Sequence, residues 1–381
     1  MKIAIIGQGY VGRSIAVSAA AAGHRVVGFD TNAAVIADLK ISGDYVGTTD
    51  SSMINDAEIV LIAVPTPLDE NRKPDLSAVK AACATIVENV TKPVLIINES
   101  TSYPGTLRNE IAVLIESATG LGHMYAASPE RVDPGNEVWT QKNTPRLLAG
   151  LTPEATATAC KFYSSFCDEL VEVSTPEVAE AAKLFENTFR QVNIALVNEF
   201  AQISDALNIP TREVLAAAAT KPFGFMSFNP GAGVGGHCIP VDPNYLAHVA
   251  ERAGVPATFI RNANEVNLAM PAYVVSRVAK DVGSLKDKSA VVIGIAYKPN
   301  VADTREAPAA LIISELEKLG AKVSWHDPVV GIWNNQTSCD LRQFDIAIVA
   351  TKHDVVSEAD IKASSTYVFD CTGTIKGVAG L

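Results

Sequence analysis

The stretch KIAIIGQGYVGRSIAVSAAAAGHRVVGFD, residues 2–30, decides the fold. An apolar run at 2–6 ends at Gly7, a small-residue, helix-compatible segment covers 14–22, and a second β-prone run at 25–29 ends at Asp30. That order, strand, glycine turn, helix and strand, is a βαβ unit. Gly7-x-Gly9-x-x-Gly12 occupies the turn. Three demands there each favour a residue without a side chain: a tight turn, close approach of a pyrophosphate to backbone N–H groups, and close helix–sheet packing. Asp30, at the end of the second strand, is placed to accept from ribose hydroxyls and to disfavour a 2′-phosphate, so the unit predicts NAD rather than NADP. The alternative is a structural glycine turn that binds nothing.

Outward from this unit, 59–64, 94–97, 124–127 and 146–151 read as buried strands with helix-compatible sequence between several of them. Such alternation implies a mainly parallel, doubly wound sheet. From Glu177 to about Leu207 apolar residues recur at helical spacing with no glycine or proline. A helix of that length spans ~45 Å and reads as a spine joining two domains and as a dimer surface. A turn-rich stretch follows at 221–243, then helical sequence to about Asp281. Strand–helix alternation restarts at Lys288. The expected fold is α/β: two doubly wound Rossmann-like domains joined by a long helix and a helical central segment. The expected boundaries are 1–176 for the NAD-binding domain, 177–283 for the central segment and 284–381 for the second α/β domain.

The 381 residues are 48% hydrophobic and 19% charged, which suits a globular chain of two or three domains. The N-terminal apolar run is too short for a signal peptide, and no uninterrupted apolar run reaches the ~18 residues of a membrane span. A formal charge of -11 opposes a general nucleic-acid surface, so substrate phosphates must be held by a few local cations and by backbone N–H groups. Six cysteines are scattered without a C-x-x-C, which argues for reduced thiols in the cytoplasm. No His, Cys and carboxylate set has zinc-site spacing, so no metal is expected.

Gly235-Gly236-His237-Cys238-Ile239-Pro240-Val241-Asp242 is the second informative stretch. Two glycines ahead of a cysteine permit close approach of a ligand to the backbone; the competing reading is an inert buried thiol. Lys183 and Asn187, four apart on the long helix, share a face and suit oxyanion stabilisation or proton exchange; the competing reading is a solvated lysine. Ser128-Pro129-Glu130-Arg131 follows a strand at its carboxyl end, where open α/β sheets bind ligands. Glu130 there is a candidate general base or one half of a surface Glu–Arg pair. Glu99-Ser100-Thr101 and Pro65-Thr66-Pro67 end strands in the same manner. Tyr297-Lys298-Pro299 and Asp303-x-Arg305-Glu306 supply two cations for phosphates, or a structural charge network.

Taken together, G-x-G-Y-V-G, E-S-T, S-P-E-R, K-x-x-x-N, G-V-G-G-H-C-I-P-V-D-P and Y-K-P-N-V-x-D-x-R-E resemble the UDP-glucose/GDP-mannose dehydrogenase family along nearly the whole chain. The resemblance implies an NAD-binding N-terminal domain, a helical dimerisation segment and a C-terminal domain holding the UDP-sugar. It also implies a four-electron oxidation of C6 through a thiohemiacetal and a thioester on Cys238. In that reading Lys183 and Asn187 stabilise oxyanions, Glu130 is the base in hydrolysis, and Thr101 and Asp242 position water. Gly7, Gly9, Tyr10, Val11, Gly12, Asp30, Thr66, Thr101 and Arg305 meet the cofactor. Arg131, Val132, Lys221, Phe225, Gly235, Gly236 and Lys298 join Glu130, Lys183 and Asn187 around the substrate.

Residues 128–136 (SPERVDPGN) and 220–226 (TKPFGFM) are similar to the branch acting on UDP-N-acetylhexosamines, with UDP-N-acetylglucosamine first, UDP-N-acetylmannosamine second and UDP-glucose third. Two departures stand out. Pro222 occupies the position of a glucose-branch arginine that reaches across the dimer, and the 38–52 segment lacks the family's glutamate–proline–glycine loop. Competing readings are a two-electron β-hydroxyacid dehydrogenase, which explains neither Cys238 nor the second α/β domain, and a catalytically silent nucleotide-sugar-binding protein.

Overall fold

The computed structural model describes residues 1–42, 45–133 and 135–381. Gly43, Asp44 and Pro134 lie outside them, and with them part of the shortened 38–52 segment and the middle of the 128–136 motif. The chain divides into two compact units, Met1–Glu186 with Asn244–Val255 and Asn187–Pro243 with Pro256–Leu381.

The first unit contains β1 (Lys2–Ile6), α1 (Tyr10–Ala21), β2 (Arg25–Phe29), α2 (Ala33–Ser42), β3 (Val46–Thr48), β4 (Ile59–Ile62), α3 (Ser77–Asn89), β5 (Leu95–Asn98), α4 (Ala112–Thr119), β6 (Met124–Ala127), β7 (Arg146–Gly150), α5 (Pro153–Tyr163) and β8 (Leu170–Glu172). The sheet order is β3-β2-β1-β4-β5-β6-β7-β8, parallel throughout except for the antiparallel β6–β7 pair. Every residue of β4 and β5 is buried, which is why both read as continuous apolar runs rather than alternating ones. β3 and β8, three residues each, are too short to show a periodicity. The strand order reverses direction between β1 and β4, and loops at such a switch point leave a crevice at the strands' carboxyl ends.

A single helix, α6 (Pro176–Ala206), continues from the first unit into the second, with bounds one residue from those its apolar pattern predicts. Near its start Glu180 is buried and accepts from the Gly105 and Leu107 N–H groups at 2.7 and 3.0 Å and from the Ser102 hydroxyl at 3.3 Å. The carboxylate thereby caps the turn that leads into α4, where a helix N-terminus favours negative charge.

The chain goes on through α7 (Thr211–Ala218), α8 (Asp242–Arg252), α9 (Thr258–Val282), β9 (Ser289–Ile293), α10 (Pro308–Lys318), β10 (Lys322–His326), β11 (Ile332–Trp333), β12 (Gln336–Thr337), β13 (Phe344–Val349), α11 (Glu358–Ala363), β14 (Ser365–Asp370) and β15 (Ala379–Gly380). The second unit's main sheet, β10-β9-β13-β14-β15, is parallel. Val292, Ile346 and Ile348 pack with α9 and α10 on one face, while Val291, Ile293, Ala347 and Val349 pack with Ile361 of α11 on the other. This is the period-two division of a sheet covered on both sides. Helices α6 and α9 are joined by buried amides: Asn198 Nδ2 donates to Asn267 Oδ1 at 3.0 Å, and Asn267 Nδ2 to the Gln191 carbonyl at 3.2 Å. Among the described residues no helix is long and apolar enough to cross a membrane.

Burial pushes Glu180 up to about 7, against the opposing pull of the Leu107 and Gly105 N–H groups. A folded-state value above the ordinary one of 4.5 means the folded protein holds this proton more tightly than the unfolded chain does. Its stabilising contribution is therefore lost as pH rises from about 4.5 towards about 7. We expect Glu180→Gln, which mimics the protonated state, to gain melting temperature relative to the parent protein between about pH 5 and about pH 8. Thermal unfolding followed across that range checks this; a constant difference would refute it.

Candidate active site

The three glycines of the loop differ in what surrounds them. A Cβ on Gly7, at φ +94°, would lie 2.3 Å from the Ala63 carbonyl oxygen, and one on Gly12 would lie 1.9 Å from the Gly7 oxygen. These two are required by packing. A Cβ on Gly9 would meet nothing within 4 Å, and Gly9 stands at the N-terminus of α1, where no side chain caps the helix. Open space over an uncapped helix N-terminus fits the pyrophosphate of a dinucleotide. Val11 lies in the first turn of α1 beside the exposed Tyr10. Asp30 takes part in building the turn, accepting from the Gln8 and Asn32 N–H groups at 2.8 Å each. Thr66 is buried just past β4.

Arg146 and its partners form a buried cluster in the same unit. Its guanidinium contacts both Glu99 oxygens at 2.8–2.9 Å and Glu130 Oε2 at 2.9 Å. Glu130 therefore pairs with Arg146, while the neighbouring Arg131 turns to Glu186 at 2.7 Å and to the Pro145 carbonyl at 2.8 Å. The surface Glu–Arg pair weighed from the sequence is not formed. Glu130 Oε1 accepts from the Arg131 and Val132 N–H groups at 2.7 Å each, and Gln141 donates to Oε2 at 2.5 Å. Burial works to raise the Glu130 carboxyl, but Arg146, Gln141 and the two backbone donors outweigh it and hold the group below the usual range. Tyr10 feels the Glu130 charge, which adds to burial in raising its phenol, so Glu130 lies within electrostatic reach of the glycine loop. Thr101 is half-buried in the loop after β5, between Ser100, which bonds the Val64 backbone, and Ser102, which bonds Glu180.

Lys183 is buried, which removes the solvated-lysine alternative. In the second unit Asn187 Nδ2 donates to Asp242 Oδ2 at 2.6 Å, with both side chains buried. The Asp242 and Val241 N–H groups donate in turn to the Cys238 carbonyl at 2.8 and 3.1 Å. Residues named from two separate motifs are thus joined, Asn187 of α6 to the turn that holds Cys238 and Asp242. The other five cysteines, Cys83, Cys160, Cys167, Cys339 and Cys371, are all pushed up by burial, which disfavours their thiolates at neutral pH.

The two glycines ahead of Cys238 have a different cause from the one inferred above. A Cβ on Gly235 would lie 2.7 Å from Tyr297 Cβ, and one on Gly236, at φ +91°, 2.9 Å from the Tyr297 ring. They let this turn pack on the loop after β9, to which Gly236 N–H also donates through the Arg305 carbonyl at 3.0 Å. Arg305 is paired with Asp303, its Nη2 2.5 Å from Oδ2, as in the structural-network reading. The Cys238 sulfur is among the groups that raise the Arg305 guanidinium, after Asp303 and against burial, so this cation lies within electrostatic reach of the thiol. Lys221 sits over the Phe223 ring at 5.0 Å in a run where Phe225 and Met226 are also exposed.

Lys298 follows β9 at the second switch point, and the structure supplies supports for its loop that the sequence reading missed. Asn300 N–H donates to His353 Nδ1 at 2.8 Å, which leaves His353 Nε2 to donate to Asp327 at 2.9 Å. Both side chains are fully buried, and Thr351 Oγ1 donates to the Ala296 carbonyl at 2.8 Å. The signal was present as polar residues immediately past the β13 run FDIAIV, the feature that singled out Thr66 and Glu130 elsewhere.

Comparison with known proteins agrees with this geometry. Residues 40–167, 177–269 and 291–377 match the NAD binding, central and UDP binding domains of the UDP-glucose/GDP-mannose dehydrogenase family. The chain belongs to that family. It is an oxidoreductase that uses NAD and takes a UDP-sugar substrate. Residues 2–71, which carry the glycine loop, also match a model described as NADP oxidoreductase coenzyme F420-dependent. The chain is 37% identical to Protein CapL of Staphylococcus aureus, over 86% of this chain and 82% of the relative. It is 35% identical to UDP-N-acetyl-D-glucosamine 6-dehydrogenase of Pseudomonas aeruginosa, over 87% and 83%. The solved structure of the UDP-D-ManNAc dehydrogenase from Pyrococcus horikoshii superposes with a TM-score of 0.89 at 29% identity, covering 100% of this chain and 99% of that one.

The loop geometry separates two substitutions. Gly9→Ala should keep the parent melting temperature and weaken NADH binding about tenfold or more, since only the ligand's space is filled. Gly12→Ala should lower the melting temperature as well, because its methyl group meets backbone. Calorimetric NADH titration beside thermal unfolding checks both, and equal behaviour of the two variants would refute the division.

Proposed function

We propose that the protein oxidises C6 of a UDP-N-acetylhexosamine to the carboxylate, with UDP-N-acetylglucosamine as the preferred substrate and Cys238 as covalent nucleophile. The observation that carries this reading is the hydrogen-bonded set Asn187, Asp242 and the Cys238 turn. It is supported by the Pseudomonas relative named UDP-N-acetyl-D-glucosamine 6-dehydrogenase; the Pyrococcus structure favours UDP-N-acetylmannosamine as the second reading.

NAD, when bound at the glycine loop, supplies the hydride acceptor, twice per product. Oxidation of the C6 alcohol gives an aldehyde. The Cys238 thiolate adds to the aldehyde carbon, forming a C–S bond, and the oxygen takes up a proton to give a thiohemiacetal. Loss of that proton and of the second hydride leaves a thioester. Glu130 takes a proton from water as the water attacks the acyl carbon, the C–S bond breaks, the Cys238 thiolate is regenerated and the carboxylate product leaves. Lys183 and Asn187 stabilise the oxyanions along this course, with Thr101 and Asp242 positioning water. Lys298, on the loop braced by His353, holds the substrate's phosphates, and Arg305 faces the cofactor.

We expect two NADH per UDP-N-acetylglucosamine consumed, with UDP-N-acetylmannosamine, UDP-N-acetylgalactosamine and UDP-glucose turned over more slowly. Cys238→Ser should lower carboxylate formation by at least about a thousandfold while UDP binding persists. One NADH per substrate, or full turnover by the variant, would sink the covalent route.

The chain is further proposed to be a cytoplasmic homodimer, the scatter of its six cysteines without paired spacing supporting a reducing compartment. The exposed residues Val178, Phe185, Phe189, Leu196, Ile203 and Leu207 fall within about 40° of one another at ~100° per residue. They form one apolar stripe along α6, opposite the face that carries Lys183 and Asn187. A stripe of this length on a soluble helix suits a second copy of the same helix. Phe189→Glu with Leu196→Glu should turn the dimer into a monomer in sedimentation velocity; an unchanged dimer would exclude this surface.

A further inference from the structure

Three strand ends converge on Arg146. It opens β7, Glu99 follows β5, and Glu130 follows β6. The guanidinium is 4% exposed, the Glu99 side chain 0% and the Glu130 side chain 10%, so Glu130 is the most exposed of the three charged side chains. The two carboxylates divide one cation: Nη1 serves both oxygens of Glu99, and Nη2 serves Glu130. The remaining contacts keep them apart in character. Glu99 accepts from the Tyr163 hydroxyl, and the Arg146 guanidinium stacks on the Tyr163 ring at 4.6 Å. Gln141 bridges the other side, its Oε1 accepting from Arg146 Nη2 and its Nε2 donating to Glu130, at 2.5 Å each. Ser128 Oγ accepts from Nη1 at 3.1 Å.

A carboxylate that faces a whole guanidinium and three further donors is a poor base, since every contact favours its ionised form. A water-activating role for Glu130 therefore needs something that weakens the pull of Arg146. We propose that Glu99 is a positioning residue for hydrolysis: by claiming Nη1 of Arg146 and adding a second negative charge, it returns to Glu130 part of the proton affinity that Arg146 removes. The inference rests on Glu130 being the hydrolytic base. Burial first, and the Glu130 charge besides, push Glu99 up to about 7 against Arg146, so the negative charge that Glu99 sets beside the shared cation varies with pH in the neutral range.

The test follows the Cys238 acyl-enzyme formed from UDP-N-acetylglucosamine and NAD, by quenched-flow intact mass across a pH series. Glu99→Gln leaves the cation to Glu130 and removes the neighbouring negative charge. The acid limb of the hydrolysis profile should move down by about one pH unit and its plateau fall about tenfold. The NADH formed before hydrolysis should keep its pH dependence, a split that a merely structural role would not produce. Tyr163→Phe strips a donor from Glu99, raises its hold on a proton, and should shift the limb the same way by less; it serves also if the glutamine variant does not fold. A limb superimposable on the parent in both variants, while Glu130→Gln stalls hydrolysis, would overturn the proposal and leave Glu130 as base. Parent-like hydrolysis by Glu130→Gln would overturn both, and that result identifies the earlier reading as the one that failed.

Discussion

In both sheets the strands run parallel across the point where their order reverses, so the loops leaving β1 and β4, and those leaving β9 and β13, part at one edge. Parallel strands need long crossovers, and those crossovers cover both faces. The carboxyl ends are what remains open. Gly9, Thr66, Thr101 and Glu130 in the first unit and Lys298 and His353 in the second all lie just past such ends. These polar residues sit on loops because helices cover the faces of the parallel sheets.

That placement brings charged groups into burial, and the cost of burying charge shapes the details. Arg146 without Glu99 and Glu130 would be an uncompensated ion, a loss of several kcal/mol of the order seen when buried pairs are broken, about 3–5 kcal/mol. Glu180 is held by three donors, and burial outweighs them, so it stays near its protonation boundary. His353 solves the problem differently, taking one N–H and giving the other to Asp327.

Helix α6 serves two masters on opposite faces. One face bears Lys183, Asn187 and Gln191 at successive turns and is buried; the other bears the exposed apolar stripe. The stripe's spacings of four and seven residues offset one another, so it stays within about 40° along the helix, while the polar set advances by about 40° per step. Below the polar face, the Asn198–Asn267 pair also receives the Gly231 N–H at 2.9 Å and so ties the start of the loop that ends in Cys238 to the helical core.

Strand and helix positions were legible because periodicity is a local property. The runs at 2–6, 25–29 and 124–127 and the unbroken pattern over α6 carry their burial in their own composition. The glycine loop was legible because its three glycines stand at fixed spacing within one βαβ unit, although the atom that crowds Gly7 belongs to Ala63, past β4. The turn holding Cys238, by contrast, suggested space for a ligand, whereas Gly235 and Gly236 yield to Tyr297, sixty residues away in sequence. Arg146 and Glu180 carried no motif at all, and Glu99 stood only as the first residue of E-S-T, with no partner assigned to it. Their roles depend on which buried partner each meets, and partners brought together across 47 or 75 residues leave no mark on local spacing. Sequence alone determined the order of elements and the chemistry on offer, because these follow from residue type and short-range pattern. Only the tertiary structure decided which charges share a cation, because desolvation and Coulomb energy are set by distances that the chain acquires on folding.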